Sequence, residues 1–410
     1  MTTAVSTTPP RLEVLTATAR RRWTSVDLMR GVAMALMALD HVRYFVTDRD
    51  FPPENLLHTT VPLFFTRWVT HVCAPAFFLL AGTGAMLSRL AGRSTPEVAS
   101  FLWIRGLLLV LLELTVVGFA WQFTPGYSFA GVLWCLGVSM LLLGPGVRVL
   151  SPAAMGGLGL ALILLHDLVD GVQARALGRA GWVWSLLHQS GSIHLGSIEW
   201  FVLFPLVPWV GVMAVGYWLG LLYRDSAGRR VRLLTSLGVG CIAAFLVLRL
   251  GNLYGNPSVP GSGGAREPFG LQSSPGMTLV SLLDVEKYPP SLQYLSMTLG
   301  LVLLGLAAAE RWSLPGWMRP LIVFGRVPLF FYLLHLYLIH LLALALAIAT
   351  GQPWQWLGWG GQPIESRAGY GHGLPTVYLL WAVVLALLYP LCRWYERLRL
   401  RPGARWLRLF

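Results

Sequence analysis

Asp27-Leu28-Met29-Arg30-Gly31-Val32-Ala33-Met34-Ala35-Leu36-Met37-Ala38-Leu39-Asp40-His41 is an apolar helical stretch with ionisable groups at both ends. A plain membrane anchor would carry none, because an ionisable side chain in hydrocarbon costs several kcal/mol unless it meets a partner or a water-filled cavity. Eleven residues separate Arg30 from His41, about three helical turns, so the two share a face and stand roughly 16 Å apart along the axis. The stretch predicts a membrane helix whose charged face looks into a bundle, with Arg30 near one surface and His41 well inside. Thr24-Ser25-Val26-Asp27 before it reads as a capping box, which gives Asp27 a local role beside the ligand-facing one.

Composition makes the bilayer the solvent. Hydrophobic residues are 55% of the 410 and charged residues only 12%, about half the charge of an average soluble chain, and the mean hydropathy is +0.62. Runs of about 20 apolar residues give ten spans, near 27–46, 62–88, 98–121, 130–147, 151–169, 198–222, 232–250, 291–309, 320–349 and 375–394. The expected fold is an all-α polytopic membrane protein. Its layout is a tail over 1–23, a membrane domain over 24–395, and a basic tail over 396–410.

The net charge of +13 raises the question of a nucleic-acid partner, but that requires a basic exposed face. The basic residues instead alternate between connections: Arg20, Arg21 and Arg22, Arg89 and Arg93, Arg148, Arg224 to Arg232, Arg311 and Arg319, then Arg393 to Arg408. Basic loops stay in the cytoplasm, so both termini are expected inside and no nucleic acid is expected. Residues 1–23 lack an apolar core, so no cleaved signal peptide is expected. Cys73, Cys135, Cys241 and Cys392 show no CxxC pairing. They read as apolar packers, with no disulfide framework and no metal site.

The longer connections, 47–61, 170–197, 251–290 and 350–374, all fall on the extracytoplasmic side. Segment 251–290 is rich in Gly, Pro and Ser and ends in Lys287-Tyr288-Pro289-Pro290, which reads as a functional lid. Segment 350–374 carries Trp354, Trp356, Trp359 and Tyr370, either a sugar-binding platform or interfacial anchors. Residues 181–197 read as an interfacial segment anchored by Trp182 and Trp184.

Further histidines reach the level of His41. In the second span, taken to begin near Thr66, His71 follows Arg67 by four residues and so shares its face. In the ninth, His335 follows Tyr332, with His340 nearer the surface. Each also has a structural reading, because a neutral histidine can bond a backbone carbonyl across a helix interface. A histidine near its working pKa can take a proton from an amine or hydroxyl that attacks a carbonyl, while arginines hold the phosphates of a carrier. Acyl transfer from coenzyme A fits that pattern. A metal site does not follow from the spacing, since no HxxxH lies on one helix with a carboxylate partner.

The blocks Ser25 to Met34 with Asp40-His41, Thr66-Arg67-Trp68 through His71 to Phe78, Lys287 to Leu292, and Phe324-Gly325-Arg326 through Tyr332 and His335 resemble the heparan-alpha-glucosaminide N-acetyltransferase catalytic-domain family, in its bacterial members. The Arg30 to His41 spacing is also similar to the first helix of the membrane acyltransferase-3 family. The resemblance implies acetyl-CoA as donor, entering from the cytosol, with Asp27, Arg30, Arg105 and Arg326 as candidates for holding it; positive-inside anchoring is the other reading of these arginines. It also implies a catalytic histidine after the first helix, which makes His58 a rival to His41.

The expected function is transfer of an acyl group, acetyl by preference, from cytosolic acyl-CoA to an amine or hydroxyl of an extracytoplasmic glycan or small acceptor. His41 acts as general base or acyl carrier, with Asp40, His71, His58 and His335 as further catalytic candidates. Arg67, Lys287, Tyr288 and Tyr332 are candidates for the acceptor side. A single Lys among 31 basic residues points to a bacterial cytoplasmic membrane. A proton-coupled transporter or flippase using the same buried charges is the alternative. The sequence leaves the oligomeric state open, a homodimer among the choices.

Overall fold

A computed structural model describes residues 23–48, 51–123, 129–195, 198–256, 267–357, 369–401, 403 and 407. The N-terminal tail, Trp359, Arg405 and Arg408 lie outside the described residues.

The chain is built from helices α1 (Thr24–Val46), α2 (Val61–Leu90), α3 (Thr95–Gln122), α4 (Val132–Val149), α5 (Pro152–Val169), α6 (Leu206–Arg224), α7 (Ala227–Leu250), α8 (Leu292–Arg311), α9 (Arg319–Arg326), α10 (Pro328–Ala349) and α11 (Leu374–Leu398). Among the described residues, nine of these are long and apolar enough to cross a membrane. Helix α1 adds a tenth of sufficient length, 23 residues or about 35 Å, although it carries Asp27, Arg30, Asp40 and Arg43. The all-α membrane fold expected from the sequence is thus present.

Four local expectations are corrected. The sixth span begins at Leu206 rather than 198, because Ile198–Val202 is a strand. It is the centre of a small sheet at one end of the bundle, parallel to Phe129–Ala130 and antiparallel to Gly191–Leu195. The ninth span is two helices broken at Val327, whose φ of −128° and ψ of 50° leave the helical region, as expected of a residue before proline. The second span starts at Val61, capped by the Thr60 hydroxyl, one residue before the expected 62 but ahead of the Thr66 from which the depth of His71 is reckoned. No capping box forms at Thr24: Trp23 is the cap residue without a side-chain bond, and Ser25 Oγ donates instead to Glu310 Oε1 at 2.5 Å.

Helix α1 is central, packed against α2, α8, α9, α10 and α11. Its crossing with α9 is closed by two glycines. A Cβ on Gly31 would lie 1.7 Å from the Leu321 carbonyl oxygen, and one on Gly325 would lie 1.7 Å from that of Asp27. Small residues let membrane helices approach backbone to backbone, and this contact delivers Arg326 to Asp27 (3.4 Å).

Among the described residues of the 350–374 loop, Trp354 is exposed but Trp356 and Tyr370 are not available as an open platform. Trp356 and Tyr370 are buried against each other, with centroids 4.8 Å apart, and Tyr370 Oη donates to the Phe45 carbonyl at 2.5 Å, so they close over the end of α1. Trp182 is half exposed on the short helix Gly181–Leu187, while Trp184 Nε1 donates to the Val172 carbonyl. His340 is buried between the carbonyls of Ala120 and Leu357 rather than near the surface.

Candidate functional site

A cavity of about 510 Å³ opens among α1, α2, α3, α4, α9 and α10. All four residues expected to hold the donor, Asp27, Arg30, Arg105 and Arg326, line it, and so does Tyr332. Arg93 and Arg399 were not singled out from the sequence but join them, giving five arginines against the single carboxylate of Asp27 in the lining. On α2 the lining runs from Phe77 to Ala91, about 20 Å of helical rise. The arginines lie toward one end of the bundle, and Met34, Leu109, Leu133, Leu136 and Leu329 supply an apolar interior.

Several of these cations are held in place by the protein. Arg30 donates to the Leu80 carbonyl at 2.7 Å and stands 4.0 Å from Asp27. Arg326 pairs with Glu396 at 2.7 Å as well as with Asp27. Arg93 and Arg105 lie over the Phe101 ring, at 5.3 and 5.9 Å from its centroid. Arg105 is the least satisfied of the set: its Nε is buried without a hydrogen bond. A cavity with a basic rim and an apolar depth has the polarity of a ligand with phosphates at one end and an uncharged arm at the other.

Tyr332 joins this cavity to the histidines. Its ring stands edge-on to that of His335, centroids 5.3 Å apart, and His335 Nδ1 lies 2.5 Å from the Tyr332 carbonyl oxygen. A carbonyl only accepts, so His335 Nδ1 carries a proton, and in the neutral ring Nε2 is then the acceptor. His41 Nδ1 sits 2.8 Å from that Nε2 and must donate. The chain of bonds therefore places the lone pair of His41 on Nε2. His41 is also fixed by Trp121, edge-on at 5.1 Å. Neither His41 nor His335 lines the cavity itself.

Asp40 begins a second cluster. It takes Arg43 at 3.0 Å and a short bond from Arg67, which also donates to Glu54 at 2.8 Å. His71 Nε2 lies 3.7 Å from the same Glu54 oxygen, and Tyr294 Oη donates to the His71 carbonyl. His71 therefore does not meet His41 and His335 in one triad; it belongs to the ion network beside them. Burial pushes the Glu54 carboxyl up, but the Arg67 guanidinium beside it holds it well below the usual carboxylate range. Glu54 and Arg43 were missed from the sequence because Glu54 sits in a polar loop that reads as ordinary surface, and Arg43 as a helix-end charge.

Lys287 lies over the Tyr288 ring, 5.1 Å from its centroid, and Tyr288 packs edge-on to Phe204 at 5.3 Å. Both lie at the end of the bundle that carries Glu54 and Arg67, as their electrostatic reach to Asp40 and Arg67 shows. His58 is exposed in its loop, 5.7 Å from the Phe51 ring. Another buried carboxylate went unnoticed in the sequence. Glu113 sits in a π-helical turn of α3, where its Oε2 accepts from the Leu133 amide at 2.9 Å and caps the start of α4.

A sequence model of the family described as "Heparan-alpha-glucosaminide N-acetyltransferase, catalytic" matches residues 22–249, more than half of the chain. No curated protein matches it.

Proposed function

We propose a function on one premise: this chain belongs to the heparan-alpha-glucosaminide N-acetyltransferase catalytic family, a family of membrane acetyltransferases. Acetyl-CoA docks with its phosphates on the arginine rim, Arg105 foremost, and its acyl arm runs into the apolar interior toward Tyr332. The observation that carries this reading is a cavity that has five arginines at its rim and ends against the ring that stands edge-on to His335.

His41 is the base. Its Nε2 lone pair takes the proton of an acceptor amine or hydroxyl as the heteroatom attacks the thioester carbonyl. The carbon–sulfur bond then breaks, and the coenzyme leaves as a thiol with the proton returned from His41. In a relay, the same nitrogen attacks the carbonyl first and carries the acetyl group until the acceptor arrives. Both routes use the tautomer that the bond to His335 supports. His335 is a positioning residue, and Asp40, Arg67, Glu54 and His71 hold the outer wall of the site.

The acceptor enters past Lys287 and Tyr288, from the end of the bundle opposite the arginine rim, so the acetyl group and not the carrier crosses the bilayer. It is an amine or hydroxyl of a glycan or small molecule. His58, exposed and away from these bonds, is a contact for the acceptor at most.

Purified protein in lipid nanodiscs given acetyl-CoA labelled in the acetyl group, with glucosamine as a probe acceptor, tests this reading. Label should appear on the amine or hydroxyl, or more slowly in released acetate, and His41→Gln should abolish both. Transport of the label in sealed vesicles without any bond exchanged would favour the transporter alternative.

A further inference from the structure

Apart from the acyl-transfer site, one group of metal-ligating side chains converges among the described residues. His166 lies in the last turn of α5, Asp170 follows four residues later, and His188 comes directly after the short helix Gly181–Leu187. One ligand atom from each lies within 4.8 Å of the other two. His188 Nε2 is 2.8 Å from Asp170 Oδ1, and the two imidazole centroids are 5.7 Å apart. The His166 side chain is completely buried, yet neither of its ring nitrogens makes a hydrogen bond. Leaving such a group unsatisfied costs energy that natural structures seldom concede.

We propose that His166, Asp170 and His188 bind a divalent transition-metal cation of the zinc class. Two imidazoles and one carboxylate are a donor set suited to that class. Tetrahedral coordination at 2.0–2.1 Å places ligand atoms roughly 3.3 Å from one another, so side-chain rotations that bring His166 closer and part Asp170 from His188, now 2.8 Å apart, complete the geometry. A carboxylate also stands beside the ligands. Asp167 Oδ1 is 3.2 Å from His166 Nδ1 without a hydrogen bond, while its Oδ2 accepts from the Leu292 amide at 2.8 Å. A rotation of the His166 ring toward the cation would turn that contact into the carboxylate–imidazole bond that orients a ligating histidine.

A recess of about 50 Å³ bordered by Asp170, His188 and Pro289 has room for one water as the fourth ligand. The cation would compensate the two carboxylates at Asp167 and Asp170. It would also tie the end of α5 and the 188 loop to the Pro289 segment beside Lys287 and Tyr288, so its role is to fix the outer mouth. Spacing along the chain does not reveal this group, because the third ligand comes from a chain reversal 18 residues beyond Asp170.

The test is metal binding by the purified, tag-free full chain after removal of metal with a chelator. Co²⁺ should bind at one equivalent with the intense visible absorption of a four-coordinate nitrogen and oxygen site, and Zn²⁺ should bleach it. Asp170→Asn and His188→Gln should lose the bound equivalent, and Asp167→Asn should weaken it about 10- to 100-fold. Asp170 is partly exposed, so its substitution tests the site even if buried His166 variants fail to fold. Absence of the Co²⁺ spectrum in wild type, or unchanged stoichiometry in both ligand variants, overturns the proposal.

Discussion

Replacing His335 by phenylalanine separates positioning from catalysis at the histidine pair. Phenylalanine keeps the stacking that His335 makes with His41 and Phe331, whose centroids lie at 5.0 and 5.5 Å, but removes the acceptor that holds His41 Nδ1–H at 2.8 Å. The substitution also removes the Nδ1–H bond to the Tyr332 carbonyl, but the one bond lost to His41 is neutral, and a buried donor left without a partner costs about 1–3 kcal/mol. If that whole cost is paid in the reactive tautomer, turnover falls about 5- to 160-fold. Removal of the base itself, in His41→Gln, should cost about 10²- to 10⁴-fold. The assay is acetyl-CoA turnover in nanodiscs with thiol release as the readout. His335→Phe should lower kcat with KM for acetyl-CoA unchanged, because the arginine rim is untouched, and should reshape the pH profile of kcat. A His335→Phe loss equal to that of His41→Gln in a folded protein would make His335 the base. Wild-type turnover would refute the tautomer argument.

Three further outcomes follow from named contacts. Gly325→Ala should collapse the crossing of α1 and α9, because its Cβ would meet backbone rather than a movable side chain; a loss of at least about 1–3 kcal/mol should appear as reduced monodisperse yield in size-exclusion chromatography. Glu54→Gln should lower the melting temperature at neutral pH by an amount worth about 1–3 kcal/mol. The Glu54 carboxyl is held well below its ordinary value, so its stabilisation is complete above about pH 4.3 and fades as pH falls through the folded-state value. The gap between variant and wild type should close in strong acid and nowhere else. Asp284 has the opposite sign. Burial, reinforced by the Glu54 carboxylate, pushes its carboxyl well above the usual range, and neither carboxyl oxygen makes a hydrogen bond. The folded protein then holds a proton that the unfolded chain releases above about pH 3.9, so stability declines with rising pH; Asp284→Asn should remove that decline in a melting series from pH 4 to 8.

The long apolar runs and the charges at both ends of the first helix made the membrane fold and most of the cavity rim readable from the chain. Arg30, Arg105 and Arg326 line one cavity, because the packing of their helices brings these positions to one level of the bundle. Contacts that depend on chain reversals were not readable. The strand at Ile198–Val202 looks apolar enough to extend the helix after it, and only pairing with Gly191–Leu195 reveals its geometry. Glu54 reaches Arg67 and His71 from a loop whose path the sequence does not specify. Depth along separate helices, which put three histidines at one level, could not say that His41 meets His335 while His71 turns to Glu54.

Equilibrium binding of acetyl-CoA to the purified protein tests the central claim most directly. Saturable one-site binding is expected, weakened by added salt, with Arg105→Gln reducing affinity about 13- to 160-fold, the worth of a charge-assisted bond to phosphate of about 1.5–3 kcal/mol. No saturable binding, or binding that Arg105→Gln leaves unchanged, would contradict the assignment of the arginine-rimmed cavity to the acyl donor.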